Sequence, residues 1–280
     1  MKNIVVSALI ALIVSLFAVH FSKQSAEVKE TVLERIERTK TLRCGYNIEP
    51  PMNMVDANTG KVYGAIPDIV EKIAEYMNWK VEWTEQVPWS DLVVGLQANR
   101  YDLACVGKWV FIPQVRGGQF SQPLYFAKVH GYGRADESRF DDTLSTLNDP
   151  KFTIASIDGE INYYISRNKF PKAKRLEMPG IANPGELQLS VINNKADVTF
   201  LAKFSADDYI KTNPGKIKQL TKQPVAFFDT ALMFKGGEAA FGGALDAALR
   251  QMHGDGFIAA TLDKWKVPAD SIARVKLPVD

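Results

Sequence analysis

The chain has 280 residues, 46% hydrophobic and 24% charged, with a net charge of +2. That length exceeds one small domain and suits two α/β units of about 100 residues each. With Lys2 set aside as part of a leader the charge falls to about +1, which excludes an electrostatic case for nucleic acid.

Lys2 precedes an apolar run from Ile4 to Val19, broken only by Ser7 and Ser15. The run lies between a secretory h-region of ~7–15 residues and a spanning helix of ~20. The small-residue cleavage signal is poor: Ala26 has Gln24 at its −3 position, and Ser22 has His20. A cleaved signal peptide and an uncleaved anchor both stay open for residues 1–26. Either places the rest of the chain outside the cytoplasmic membrane, because Lys2 favours an inside N-terminus.

Glu27 to Lys40 reads as a charged helix with Val28, Val32, Leu33 and Ile36 on one face. Thr41 to Tyr46 reads as a strand, and Glu49-Pro-Pro-Met52 as a stiff turn. From Ile66 to Asn78 apolar residues recur at i, i+3, i+4, i+7, i+8 and i+11, a helix with Pro67 in its first turn. A strand over Lys80–Glu85 follows, then a helix from Ser90 to Ala98 with Ser90 as N-cap, a strand over Tyr101–Gly107, and the segment Phe120-Ser-Gln-Pro-Leu-Tyr125.

After a change of character at 127–134, the alternation repeats: strand 152–157, helix 160–168, strand 174–178, a helix opened by Asn183-Pro-Gly-Glu186 as a capping box, strand 198–201 and helix 205–211. The run Lys169, Lys172, Lys174, Arg175 suits a solvated loop. A second return is expected near 223–229, then helix 238–253, a break at Gly254-Asp-Gly256 and a last helix ending at Lys264-Trp265. No internal repeat is visible. Such alternation predicts mainly parallel sheets flanked by helices, with ligands outside the carboxyl ends of the strands.

Cys44 and Cys105 fall in two strands expected side by side. A bridge between them is one reading. Facing positions on parallel strands rarely meet disulfide geometry, so two buried free thiols are the expectation.

The order of elements from Thr41 to Tyr125, with Phe234-Lys-Gly-Gly-Glu238 through Trp265 at the far end, resembles the family 3 periplasmic solute-binding proteins. The resemblance covers roughly residues 33–266 and rests on order and spacing. It implies a two-lobe periplasmic-binding-protein-like α/β fold with a two-strand hinge. Lobe one would comprise 27–129 and 226–280, and lobe two 130–225. It also implies a monomer that closes over a small-molecule solute and delivers it to an inner-membrane ABC permease. The membrane would be met only through the N-terminal segment, and neither a cofactor nor a metal is expected. Of the three histidines one lies in the leader, and no His/Cys/Asp cluster has metal-ligand spacing.

For an α-amino acid the resemblance implies an Arg and a G-(S/T)-T turn on the carboxylate, and an Asp after the last strand of lobe two on the ammonium. Here the Arg position reads Gln114, with Arg116 two residues on, and the residue before that segment is Trp109. The turn reads Asp158-Gly159-Glu160, and the Asp position reads Ala202 followed by Lys203. A standard α-amino acid is therefore not expected. Asp158 and Glu160 either cap the following helix and complement its dipole or contact a cationic or hydroxyl-bearing solute. Asn162 falls on that helix's first turn. Trp89 and Trp109 are loop aromatics that either pack or stack on a planar ligand. Lys108 is a charge anchor or solvated. Glu49 and Met52 flank the Pro50-Pro51 turn where ligand-facing groups are expected. Asp229 is a weaker candidate, and Tyr46 suits the core.

Two other functions remain from the same resemblance. One is a membrane-tethered sensor or accessory protein. The other is an enzyme like the cyclohexadienyl dehydratases, with Glu160 or Asp158 as acid or base, although an acidic turn opposes an anionic substrate.

Overall fold

The computed structural model describes residues 30–110, 115, 117–179, 182 and 184–276. The leader, Gln114, Arg116 and the Asn183 cap lie outside these. Among the described residues no helix is long and apolar enough to cross a membrane.

Helix α1 (Val32–Thr39) starts later than the periodicity suggested because Thr31 caps it. The Thr31 Oγ1 accepts from the Glu34 N–H at 3.2 Å while Glu34 accepts from the Thr31 N–H at 2.8 Å, which satisfies two orphan donors. Strand β1 (Thr41–Tyr46) follows, then the hairpin β2 (Met54–Val55) and β3 (Val62–Tyr63). Helix α2 (Ala65–Met77) buries Ile66, Ile69, Val70 and Ile73, the face its apolar spacing anticipates. Gly64 opens it at φ 138°, a conformation L side chains rarely adopt, and a Cβ there would stand 2.4 Å from the Met52 carbonyl oxygen. Strand β4 (Lys80–Gln86) is an edge strand.

A 3₁₀ turn (Trp89–Asp91) leads into α3 (Leu92–Gln97). Ser90 does not cap this helix: its hydroxyl donates to Asp91 at 2.8 Å instead. Strand β5 (Leu103–Trp109) starts and ends two residues later than expected. Tyr101 is held out of it, with its ring against Gly45 and Gly95 and its hydroxyl donating to the Leu92 carbonyl at 2.7 Å. Strands β6 (Gly118–Phe120) and β7 (Tyr125–Arg134) follow.

Next come β8 (Thr153–Ile157), α4 (Ile161–Lys169), β9 (Lys174–Met178), α5 (Pro184–Ile192), β10 (Val198–Ala202) and α6 (Lys203–Thr212). The chain ends through β11 (Ile217–Gln219), β12 (Ala226–Lys235), α7 (Ala239–Gly254), α8 (Phe257–Lys264) and β13 (Ile272–Ala273).

The sheet order is β4-β1-β5-β12-β7-β10-β8-β9. Strands β4, β1 and β5 run parallel, as do β10, β8 and β9. The long strands β7 and β12 pair antiparallel with each other between the two parallel sets, Ala226 opposite Val129 through Thr230 opposite Tyr125. This is the two-lobe α/β architecture with its crossover strands. One large apolar cluster gathers α1, α2, α7, α8 and the β1–β5 side, and others gather Val129 to Phe228 and Tyr132 to Ile217.

The free-thiol expectation is overturned: Cys44 and Cys105 form a disulfide, with Cα atoms 5.5 Å apart. Cys44 pairs in register with Leu103, so Cys105 lies one pleat further along the same face. That diagonal offset brings both side chains to one side at a separation disulfides span. Close by, the buried Asp102 carboxylate pairs with both Arg35 and Arg43, at 2.8 Å to Arg43, tying α1 and β1 to the start of β5.

Candidate ligand site

A cavity of about 350 Å³ lies between the carboxyl ends of β1 and β5 on one side and of β8 and β10 on the other. Its volume falls within the range of small-molecule sites. Glu49, Trp89, Lys108, Trp109, Asp158, Gly159, Glu160 and Asn162 all line it.

The turn after β1 is tight. Met52 donates its N–H to the Glu49 carbonyl at 2.7 Å, and the Pro50-Pro51 peptide is cis. The free N–H groups of Ala65 and Ile66 at the start of α2 bond the Pro51 and Met52 carbonyls. This draws Met52 into the core, 1% exposed and away from the cavity, so it is not where a ligand-facing side chain was expected. Glu49 is half-buried as a residue, with its carboxyl at the buried end. Burial pushes that carboxyl up to about 7, while Lys108 draws it back.

Lys108 and Trp109 are strand residues, not loop residues. Antiparallel pairing with Ala231 and Thr230 of β12 extends β5 through them. Lys108 is 5% exposed. Its Nζ stands 3.7 Å from Glu160 Oε1 and 5.2 Å from the Trp89 ring centre. Burial pulls the ammonium below its usual range, and Glu160 and Glu49 oppose that. Trp89 is 38% exposed. Trp109 lines the cavity and also stacks on Phe228, rings 6.2 Å apart at 22°, so it is at once a packing residue and part of the cavity wall.

Across the cavity, Ile157-Asp-Gly-Glu160 turns from β8 into α4, with Gly159 at φ 74°. Glu160 occupies the N-cap position, yet its side chain makes no capping bond. It reaches for Lys108 instead. Asp158 is exposed and donates its N–H to the Met178 carbonyl at 2.8 Å. Asn162 is spent on the turn: its Oδ1 accepts from the Ile157 N–H at 2.7 Å. Asn162→Ala is expected to lower stability by about 1 kcal/mol, as measured by chemical denaturation.

Ala202 lines the cavity. Lys203 turns away to pair with Asp207 at 2.6 Å and Asp270 at 3.2 Å, so it supplies no cleft charge. Asp229 is not among the lining residues. Its carbonyl takes the Val110 N–H at 2.9 Å. Tyr46 meets Trp83 edge-on at 6.0 Å, as a packing residue would.

The lining also includes Ser90, Phe200, Leu201, Ser205 and Met233. Sequence reasoning missed these. Phe200 and Leu201 end a predicted strand and so were detectable from the carboxyl-end rule. Met233 comes from the returning strand and had no local signal.

The sequence profile of the bacterial extracellular solute-binding proteins, family 3, matches residues 42–268. The chain belongs to this family. A family relative, the probable amino-acid ABC transporter-binding protein of Haemophilus influenzae, is 24% identical over 84% of this chain and 88% of its own. The fold is shared with an ancestral amino acid-binding protein described as a precursor of cyclohexadienyl dehydratase (TM-score 0.67, 22% identity, 84% of this chain and 99% of that one). It is shared too with the periplasmic VFT2 domain of Bordetella pertussis BvgS (TM-score 0.68, 17% identity, 84% and 97%).

Proposed function

We propose that this family 3 protein captures a small polar solute in the cavity between its lobes and delivers it to an ABC permease, and that the solute is not a standard α-amino acid. The observation that carries this reading is the Lys108–Glu160 pair, in which charges from opposite walls of the cavity already meet each other. The uncharged Ala202 at the end of β10 supports it. The lobes on this reading are 27–129 with 226–280, and 130–225, hinged on β7 and β12. Glu49, Trp89, Lys108, Trp109 and Glu160 contact the solute, and Asp158 lies at the rim. Closure follows by population shift, since only the closed state offers both walls. The chain acts as a monomer outside the cytoplasmic membrane, exported by or anchored through residues 1–26. The relative in Haemophilus influenzae, named as a transporter-binding protein, supports the permease partner.

The test is a thermal-shift screen of the full chain against amino acids, amines, organic acids and sugars. A solute at 100 times its dissociation constant adds about 2.7 kcal/mol. Stabilisation by a solute outside the twenty α-amino acids supports the reading. Stabilisation by one of the twenty overturns its second half.

A second reading, a membrane-tethered sensor or accessory protein, draws on the same ion pair: the protein's own charges already bridge the cavity. A screen without any hit favours it. A dehydratase is disfavoured, because the acidic turn with Asp158 and Glu160 on the cavity wall opposes an anionic substrate.

A further inference from the structure

Carboxyl groups outnumber cations along the described wall of the cavity. Among its described lining residues stand three carboxyl groups, Glu49, Asp158 and Glu160, and one cation, Lys108. They come from separate elements: Glu49 from the turn after β1, Lys108 from β5, and the other two from the turn before α4. Lys108 shows what this place holds. Its ammonium is seated between lobe-two Glu160 at 3.7 Å and the face of Trp89 at 5.2 Å, the arrangement of carboxylate and ring that a desolvated cation requires. That one ammonium is shared by Glu160 and Glu49, and no second cation stands among the described lining residues. The rest of the described lining is largely apolar, including Ile157, Leu201, Trp109 and Met233, with Ser90, Ser205 and Asn162 as its neutral polar groups.

We propose that the solute is a small organic amine without a carboxylate: an ammonium held among Glu49, Glu160 and the Trp89 face, on a flat apolar body lying against Trp109. This rests on the solute-capture reading above and names the ligand's chemical class. Among the described lining residues a carboxylate on the solute would find one charged partner, Lys108, and would have to take it from Glu160. An amine supplies the missing positive charge and leaves that pair in place or substitutes for it.

Lys108 then has a role in specificity. It is a tethered competitor for the same carboxylates, and it sets how strongly an incoming cation is needed.

The test uses four probes of one shape on the full chain by calorimetry: 2-phenylethylamine, phenylalanine, 3-phenylpropionate and 3-phenylpropanamide. The amine is expected to bind at least about tenfold more tightly than the other three. Glu49→Gln is expected to weaken the amine about tenfold, and Lys108→Met to strengthen it several-fold by removing the competitor. A residue that merely held the fold would weaken binding in both variants, so the opposite signs carry the decision. If the propionate or phenylalanine binds best, or Lys108→Met weakens the amine, the amine inference is overturned while solute capture stands. If no probe binds and the wider library also stabilises nothing, both readings fall.

Discussion

Replacing Cys44 and Cys105 together by serine is expected to lower the stability of the folded chain by about 4 kcal/mol. The bridge closes a loop of 61 residues, and the chain-entropy relation for a loop of that length gives about 4 kcal/mol at room temperature. Both sulfurs are fully buried in the first apolar cluster, so serine hydroxyls there add a desolvation cost on top. Guanidinium denaturation of wild type and double variant, without reductant, reads the difference. A loss under about 1 kcal/mol would show that the bridge is either not formed or adds nothing. The same bridge ties β1, which leads into the turn with Glu49, to β5, which carries Lys108 near its end. A disulfide in this position is consistent with an oxidising compartment and with the extracellular family to which the chain belongs.

Local signals carried the helices well. The 66–77 periodicity named Ile66, Ile69, Val70, Ile73 and Ala74 of the buried face of α2, with Met77 only partly buried, because a 3.6-residue repeat needs no knowledge of what lies opposite. The strand-to-helix turn Asp158-Gly-Glu160 was legible for the same reason: strand, glycine and helix follow one another without interruption. What escaped depends on distant partners. Strand β5 runs on through Lys108 and Trp109 because β12, over a hundred residues away, pairs with it. The short strands β6, β11 and β13 exist only as additions to β12 and β7. The disulfide turns on a two-residue offset between β1 and β5 that no spacing within either strand reveals. Met52 was misplaced because its direction is set by carbonyls bonded to the N-terminus of α2 and by Gly64 beneath them.

These non-local features also shape the site. The pairing that extends β5 carries Lys108 to the cavity, and the missing cap at α4 leaves Glu160 free to meet it. A carboxylate at a helix start normally turns back on the helix's own N–H groups and gains from the dipole. Here it forgoes the capping bond for an ammonium on the opposite wall. Each half of that exchange looks unremarkable in its own segment. Only the fold puts the two together.

Glu49→Gln is expected to change stability with pH, and the sign is fixed by the direction of its shift. Burial holds the Glu49 carboxyl at about 7 in the folded chain, against an ordinary value of 4.5. The groups facing it are the Lys108 ammonium from β5, with Glu160 of the α4 turn behind it, and the Tyr125 hydroxyl from β7. A carboxyl raised on folding binds its proton more tightly in the folded state, so its contribution is intact below pH 4.5 and is lost as pH rises to 7. With allowance for the part of the residue that meets solvent, the loss is about 2 kcal/mol. The glutamine variant is therefore expected to match wild type at pH 4 and to exceed it by about 2 kcal/mol at pH 8, read by chemical denaturation across that range. An offset that does not vary with pH would mean that Glu49 keeps an ordinary carboxyl. The same ionisation governs an incoming cation. Affinity for 2-phenylethylamine should rise with pH until about 7, by at most about tenfold per unit, then level off, and Glu49→Gln should flatten that profile. If Glu49 were only a packing residue, the variant would lower affinity equally at every pH.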